Sequence, residues 1–287
     1  MTNQLKYDLA VAYRIYPKNS SHRPPIFSSD KFKLSELCVK SFKRSLTGLK
    51  VKIWALLDGC PPAYEKLFTD LWDSSDLVLV RFPAVGDAAT FQAQVRTLME
   101  QTDADIVYLA EDDYFYQPDQ FQLAVQFLRE NPEAQFASPY DHPDIHNTEL
   151  HRLPSLSKSF GGLTWNSCCS TTHTFLTTRA TLTECRGVFL ANYGRISPDL
   201  SKWLALTKKR VFNPFVFLRW AATNRFWAGS IFYAWYFCWR QILFGSSYTL
   251  WIPQPSIATH MVAGMEAPGV DWPAAFKMQM SELTPND

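Results

Sequence analysis

Three adjacent acidic residues, Glu111, Asp112 and Asp113, follow directly after the short apolar run from Ile106 to Ala110. Neighbouring carboxylates repel one another, so a folded chain that keeps them together needs a cation or solvent to offset their charge. Mg²⁺ and Mn²⁺ prefer oxygen ligands of this kind and often bridge them to substrate phosphates. The residues alone leave two alternatives open, a divalent-metal site and a solvated acidic turn.

The segment before the acids has the composition of a strand that is buried on both faces of a parallel sheet. Three similar strands precede it, and a helical pattern follows each strand, which predicts a Rossmann-like, mostly parallel α/β sheet flanked by helices. The acids would then lie at the carboxyl edge of this sheet, where ligands bind in open α/β folds. The predicted strands span residues 7–13, 51–57, 77–82 and 106–110, and the predicted helices span residues 31–46, 63–72, 88–101 and 118–129.

The length of 287 residues suits one compact domain in two halves, residues 1–132 and 133–287. In the second half the alternation of strand and helix loosens. The elements that we expect there are short strands at 135–138 and 171–178, a polar loop at 140–157, a helix that starts near Asp199, and an aromatic, helical region at 211–244.

Bulk composition narrows the classes of function. The formal net charge is +1, so no excess of positive charge points to nucleic acid as a partner. No two of the six cysteines are spaced C-x-x-C, and we expect reduced thiols in a cytoplasmic protein. The sequence shows no signal-peptide pattern. It also contains no run of about 20 apolar residues, the length needed to span a bilayer.

The order of parts from the first strand to the acids resembles the nucleotide-sugar-dependent glycosyltransferases of the GT-A fold, close to the family 2 type. The first strand ends at Ala12-Tyr13-Arg14, where the family begins its nucleotide pocket. The second ends at Leu57-Asp58-Gly59, where the family often has an Asp that hydrogen-bonds the base. The resemblance covers residues 7 to about 116 and extends more weakly to residue 262.

Two further segments carry the resemblance toward the metal. Residues 85–91 and the helix with Arg96 lie where the family has a loop and helix beside the diphosphate. The acids fall where the family has its metal-binding D-x-D motif, with Glu111 in place of the first Asp, which leaves open which acid binds the metal. The resemblance therefore implies Mn²⁺ or Mg²⁺ as cofactor, with Asp113 as the first choice for a direct ligand.

The resemblance also implies a set of donor-contacting residues. A cation bound by the acids would neutralise the charge of the diphosphate as the sugar leaves. An arginine can add a fork-shaped contact to phosphate, and a tyrosine can flank the base. The alternative for each of these residues is ordinary surface polarity. The implied set is Tyr13, Arg14, Asp58, Asp87, Arg96 and Asp112.

A late histidine completes the implied metal set. Residues 255–260 read Pro-Ser-Ile-Ala-Thr-His and resemble a Pro-Ser-x-x-x-His segment whose histidine returns to the metal or diphosphate in GT-A enzymes. A neutral imidazole is a competent ligand for Mn²⁺ beside carboxylates. The alternative is a lone surface histidine. The metal candidates are Asp113, Asp112, Glu111 and His260.

A transferase that inverts its sugar needs a carboxylate to deprotonate the acceptor hydroxyl. In the family this acid lies downstream of D-x-D at the start of a helix, a position that Asp199 matches. An acid after Ser-Pro is also ordinary helix-start chemistry, so Asp141 and Asp144 stay as competing candidates. A zinc site on His142 and His146 is disfavoured because Pro143 breaks a helix through both.

The region from Phe212 to Phe244 is crowded with aromatic residues, and no acid occurs between Leu200 and Gly264. Two interpretations compete, a helix pair that covers the sheet and a helix that lies in the interface of a membrane. The second would place the protein at the inner face of the membrane, where basic and aromatic side chains meet anionic headgroups.

The function implied by the resemblance is a metal-dependent glycosyltransferase of the inverting type. Its partners would be a UDP- or GDP-sugar donor and a hydroxyl acceptor on a polysaccharide, glycan or lipid-linked glycan. Two alternatives remain open: a non-catalytic GT-A-like protein that binds a glycan or another protein, and a sugar nucleotidyltransferase. The absence of a Gly-rich loop after the first strand disfavours the nucleotidyltransferase.

Overall fold

The computed structural model of the chain describes residues 5–18, 23–193 and 198–283. The strands are β1 Leu9–Ile15, β2 Val51–Asp58, β3 Leu77–Phe82, β4 Ile106–Glu111, β5 Tyr114–Tyr116, β6 Phe136–Ala137, β7 Ser157–Phe160, β8 Leu163–Cys168, β9 Phe175–Thr178, β10 Leu250–Gln254 and β11 Ala258–His260. The helices are α1 Lys31–Ser45, α2 Ala63–Thr69, α3 Asp87–Glu100, α4 Phe121–Glu130, α5 Asp144–Asn147, α6 Arg179–Glu184, α7 Arg186–Phe189, α8 Asp199–Thr207, α9 Pro214–Thr223, α10 Arg225–Phe244 and α11 Trp272–Leu283.

Nine of the strands form one sheet in the order β3-β2-β1-β4-β9-β6-β10-β8-β7. Strands β3, β2, β1 and β4 are parallel neighbours, and only β9 and β8 run against the other members of this sheet. Strands β11 and β5 form a separate antiparallel pair. The predicted α/β class, with a mostly parallel sheet flanked by helices, is therefore confirmed.

The sheet separates two hydrophobic cores, and strand β1 shows why. Its odd-numbered residues, such as Leu9 and Val11, belong to the core that also holds α1, α2, α4 and α11. Its alanines, Ala10 and Ala12, belong to the core on the other face, with α3 and α6 to α10. Because successive side chains of a strand point to opposite faces, burial on both sides produces the continuous apolar runs seen in the sequence.

Two helix starts bring polar residues to the carboxyl edge of the sheet. The side chain of Asp30 accepts a hydrogen bond from the Lys33 N–H and caps α1, whose first residue is Lys31. Gly86 precedes α3 with φ +90°, a conformation that favours glycine, and Asp87 is the first residue of that helix.

The structure corrects several predicted boundaries. Helix α4 begins at Phe121 rather than Pro118, because Asp119 turns the chain with φ +58°. The strand expected at 171–178 covers only β9, and the polar loop contains α5 and a 3-10 turn at Glu149–His151. The aromatic region forms α9 and α10. Across the described ranges, no helix combines the length and apolarity required to cross a membrane.

Candidate active site

Strands β1, β2 and β4 end side by side at one edge of the sheet, and a cavity of about 430 Å³ opens there. The sequence-predicted residues Arg14, Asp58, Asp87 and the three acids all line it. The complete lining is Arg14, Ile15, Tyr16, Lys18, Lys31, Asp58, Gly86, Asp87, Thr90, Glu111, Asp112 and Asp113. The cavity is therefore rich in charges of both signs.

Glu111 is held by Arg14, whose guanidinium also reaches the carboxylate of Asp87 at the start of α3. The two acids outweigh the cost of burial and raise the pKa of Arg14 further. Thr174 donates a hydrogen bond of 2.7 Å to the other oxygen of Glu111. Glu111 thus has two partners and links β1, α3 and the segment before β9.

Asp112 is buried and forms an ion pair with Lys31, with 2.9 Å between the Lys31 Nζ and the carboxylate. The Ser35 hydroxyl donates to the same oxygen over 3.1 Å. Burial raises the pKa of Asp112, and the neighbouring charge of Asp113 adds to this, while Lys31 opposes both. The ammonium group of Lys31 therefore offsets the negative charge of Asp112, which a metal cation would otherwise have to neutralise.

Asp113 meets His260, whose Nε2 lies 3.2 Å from Asp113 Oδ2. The β5–β11 pairing, which aligns His260 with Tyr114, places the histidine there, and its ring stacks on Tyr114 at 4.8 Å between centroids. Burial disfavours charge on both groups, yet their attraction raises the pKa of His260 and lowers that of Asp113. Oxygen Oδ1 of Asp113 is buried without a hydrogen-bond partner among the described residues.

A divalent cation fits this pair better than it fits the acids as a group. Within the described part of the chain, no three His, Cys, Asp or Glu residues are gathered as a metal cluster. Glu111 and Asp112 already face basic side chains, whereas Asp113 keeps an unpartnered oxygen beside an imidazole nitrogen. Mg²⁺ typically takes only about one or two carboxylates and completes its shell with substrate phosphates and water. Asp113 supplies one such carboxylate, and the nitrogen of neutral His260 suits Mn²⁺ rather than Mg²⁺.

Asp58 supports the wall of the cavity. Its two oxygens accept hydrogen bonds of 2.7 Å and 2.8 Å from the backbone N–H groups of Val85 and Gly86. The carboxylate is buried and holds the loop that leads into α3. The resemblance implied a contact with the base, and the structure adds this loop-anchoring role.

Tyr13 and Arg96 do not line the cavity. Tyr13 is fully buried on the opposite face of β1, packed against Phe42 and Phe68, because its neighbour Arg14 takes the face toward α3. Arg96 is exposed on α3. The structure therefore does not bring either side chain to the cavity. Tyr16, Lys18 and Lys31 line the cavity instead, and Lys31 was signalled in the sequence only by its place directly after a helix cap.

A second cavity, of about 180 Å³, brings together Asp144 and Asp199. The segment 171–174 connects it with the first, since Thr172 lines the second cavity while Thr174 contacts Glu111. Polar and aromatic side chains share the wall. The lining is His142, Asp144, Leu150, His151, Ser170, Thr171, Thr172, Asp199, Leu200, Phe226 and Trp227.

Asp199 is one of the two acids that line this cavity. It is the first residue of α8, and its Oδ1 accepts a 2.8 Å hydrogen bond from the Leu200 N–H. Burial raises the pKa of Asp199 to about 6. Lys202, one turn later, is buried 2.9 Å from His173, and burial lowers its pKa to about 8. Sequence reasoning missed this lysine, because nothing in the local pattern marks it as buried.

Asp141 lines neither cavity. It is buried and accepts from His146 Nε2 at 2.8 Å and from the Gln254 amide at 3.1 Å. Burial raises the pKa of Asp141, and His146 opposes that shift. The contacts tie α5 to β10, so the structure brings Asp141 to neither cavity and gives it a loop-anchoring role. His146 thus pairs with Asp141, whereas Nδ1 of His142 accepts from the backbone N–H of Asp144.

No family model matches the sequence, and no curated protein matches it significantly. Among solved structures, it resembles the TarS 1-349 fragment from S. aureus with TM-score 0.42 and 10% identity, over 69% of this chain and 55% of that one. The complex of that fragment with UDP-GlcNAc aligns with TM-score 0.34 and 10% identity, over 45% and 33% of the two chains.

A mannosyltransferase, PcManGT from Pyrobaculum calidifontis in complex with GDP-Man and Mn²⁺, aligns with TM-score 0.35 and 18% identity, over 50% of this chain and 38% of that one. The chain spans between a third and just over half of the length of these three structures. Similarity at this level carries no functional argument, so function rests on the geometry of the two cavities.

Proposed function

We propose that this protein is a metal-dependent glycosyltransferase that moves a sugar from a nucleoside-diphosphate sugar to an acceptor hydroxyl with inversion. The observation that carries the proposal is the Asp113–His260 pair, which lies at the carboxyl edge of the sheet with one carboxylate oxygen unpartnered. A cation site beside basic side chains is what the diphosphate of such a donor requires.

The first cavity is the proposed donor site. Its volume of about 430 Å³ lies within the usual range of small-molecule sites. Arg14, Lys18 and Lys31 supply positive charge toward the diphosphate. Tyr16, at the end of β1, takes the place beside the base that Tyr13 cannot occupy. The donor is a UDP- or GDP-sugar.

Asp113 and His260 are the proposed metal-holding residues. They would hold Mn²⁺ or Mg²⁺, which would supply positive charge to offset that of the leaving diphosphate. Asp112 lies next to them but faces Lys31, so it acts first as the partner of that lysine. Glu111 orients Arg14 toward the cavity through their ion pair.

The second cavity is the proposed acceptor site, and Asp199 is the proposed base. A base works best when its pKa lies near the working pH, because it must be ionised and still attract a proton. Burial of Asp199 brings its pKa to about 6, which meets that condition. Asp144 lines the same cavity with a more exposed side chain and is the competing base. Trp227 and Phe226 offer aromatic faces against which a sugar ring can pack.

The proposal is tested by thermal unfolding with Mn²⁺ and a panel of nucleoside diphosphates. UDP or GDP should raise the melting temperature when metal is present. At a ligand concentration a hundred times Kd, the free energy of unfolding should increase by about 2.7 kcal/mol. Asp113→Asn should remove the metal-dependent part of this shift. Asp70→Asn, which changes an exposed acid after α2, is the matched control and should retain it.

A wild-type protein that no nucleoside diphosphate stabilises in the presence of Mn²⁺ or Mg²⁺ would overturn the proposal. A shift that survives Asp113→Asn unchanged would remove this residue from the metal site. If a nucleoside diphosphate does stabilise the protein, screening nucleotide sugars for slow hydrolysis would identify the donor, since water can replace the acceptor.

A further inference from the structure

The outer surface of α9 and α10 is apolar where a surface helix is normally polar. Phe215 is 81% exposed, Phe226 69% and Phe244 79%, because no described residue covers most of their surface. We call this surface the aromatic face. Its main residues are Phe215, Leu218, Phe226, Phe232, Tyr236 and Phe244.

The aromatic face is additional to the side of α10 that packs on the protein. Ala228, Ile231, Ala234, Cys238 and Ile242 are buried at spacings of three and four residues, which forms one complete helical stripe against the core. The exposed aromatics occupy the other side. Helix α10 is therefore apolar around its circumference, which is typical of helices that are covered on all sides.

Basic residues lie at both ends of the α10 part of the aromatic face. Arg225 begins α10, and Arg240 lies near its end with the guanidinium 5.3 Å from the Trp239 ring centroid. Lys208 donates a 2.6 Å hydrogen bond to the carbonyl of Gly245, which directly follows α10, and the neighbouring Lys209 is exposed. The sequence contains no acid between Leu200 and Gly264. Arginines and aromatic rings at the border of an apolar surface suit the interface of an anionic membrane.

A second copy of the chain fits this face less well. A symmetric dimer brings the same patch of both copies together. Arg225 and Arg240 of each copy would then meet a surface with arginines of its own and no acid from the same helices. Acids from other elements do lie close by, since Glu149 pairs with Arg219 of α9 and Glu184 lines a cavity together with Arg240. Anionic lipid headgroups would supply further negative charge to Arg225 and Arg240, and the acyl region would accept Phe232 and Tyr236.

We propose that the aromatic face of α9 and α10 docks in the interface of a bilayer that contains anionic lipids. Phe226 belongs to this face and also lines the second cavity together with Trp227. Docking would therefore bring the second cavity close to the lipid headgroups. If the cavity is the acceptor site, a step that rests on the proposed function, the acceptor is presented at the membrane surface.

The docking is measured by co-sedimentation of the full chain with vesicles, without metal or nucleotide. Vesicles of phosphatidylcholine alone are compared with vesicles in which a third of the lipid is phosphatidylglycerol. We expect binding to the anionic vesicles that weakens at high salt, because surface charges are screened. The measurement does not depend on catalysis, so its result and that of the nucleotide experiment are independent.

Two double variants separate the aromatic and the basic contribution. Arg225→Gln with Arg240→Gln should weaken partitioning into anionic vesicles by roughly tenfold or more. Phe232→Ser with Tyr236→Ser should weaken it by a similar factor, because both rings leave the interface. Both changes lie on exposed positions, and circular dichroism and thermal unfolding confirm that each variant is folded.

The matched controls lie on the opposite face of the sheet or away from α10. Lys33→Gln with Lys66→Gln removes two exposed lysines of α1 and α2, and Leu156→Ser with Met278→Ser removes two exposed apolar side chains. Both controls should bind vesicles like the wild type. Absence of binding to anionic vesicles, or equal losses in variants and controls, overturns the proposal. A dimer in sedimentation velocity that the Phe232→Ser, Tyr236→Ser variant dissociates, without vesicle binding, would assign the face to self-association instead.

Discussion

Asp113 and His260 are separated by 147 residues and meet with 3.2 Å between their side chains. The histidine reaches the acid because β11 pairs with β5, the short strand that starts directly after Asp113. Stacking on Tyr114 fixes the plane of the His260 imidazole. Its Nε2 is therefore held beside the carboxylate of Asp113, whose Oδ1 has no partner among the described residues. Such preorganisation is what a weakly coordinated cation needs from its protein ligands.

The histidine is expected to contribute directly to metal affinity. His260→Ala should weaken Mn²⁺ binding in the presence of a nucleoside diphosphate by at least about tenfold, since even outer partners of metal ligands cost about 10-fold to 100-fold. Calorimetric titration of Mn²⁺ measures the change. His142→Ala removes a histidine of the second cavity and should leave Mn²⁺ affinity intact. Equal losses in both variants would contradict the assignment.

Asp199 is expected to control the rate of transfer. Asp199→Asn should lower kcat by about 10²-fold to 10⁴-fold, the usual contribution of a general base, while nucleotide binding persists. Because the acid must be ionised to accept a proton, the wild-type rate should rise with pH and level off above about 6. A pH-rate profile with the identified donor measures this. If Asp144→Asn lowers kcat more than Asp199→Asn does, the base is Asp144.

The same carboxylate is expected to reduce stability at neutral pH. Its folded pKa of about 6 exceeds 3.8, the ordinary value for an aspartate, so between these values the folded state retains a proton that the unfolded state has lost. The free energy of unfolding should therefore fall between pH 4 and pH 6, and ionised Asp199 costs about 3 kcal/mol above that window.

Asp199→Asn tests this cost, because the amide keeps the shape without the charge. The variant should be more stable than the wild type at pH 7 by about 3 kcal/mol and equal to it below about pH 4. Urea unfolding at both pH values measures the difference. A variant that is less stable at pH 7 would show that the charge of Asp199 is well compensated in the folded protein.

Lys31 and Asp112 are expected to depend on each other, since both side chains are nearly buried. Either Lys31→Met or Asp112→Asn leaves a buried charge without its partner and should cost about 2–4 kcal/mol. The double variant should cost clearly less than the sum, with a coupling energy of about 1–3 kcal/mol. Urea unfolding of the four proteins without metal measures the cycle. Additive losses would contradict a direct ion pair.

Local sequence patterns predicted the strand and helix order because burial on both faces leaves a continuous apolar run in each central strand. The position of Glu111, Asp112 and Asp113 at the carboxyl edge followed from the same rule. Boundaries near turns were less predictable. The start of α4 depends on the left-handed turn at Asp119, which no repeating pattern encodes.

The partners of the polar residues were decided only by tertiary structure. Asp112 faces Lys31, Asp58 faces the loop before α3, and Asp141 faces His146, although all three acids appear equivalent in the sequence. Tyr13 and Arg14 are neighbours whose opposite directions depend on which face of β1 each helix covers.

The sequence by itself thus determined which edge of the sheet carries the chemistry, because the period of apolar residues encodes burial. Only the folded chain decided that Asp113, rather than its two neighbours, keeps an unpartnered oxygen beside a distant histidine. The physical reason is that ion pairs and hydrogen bonds depend on distances between elements remote in the chain, and a local pattern contains no such distances.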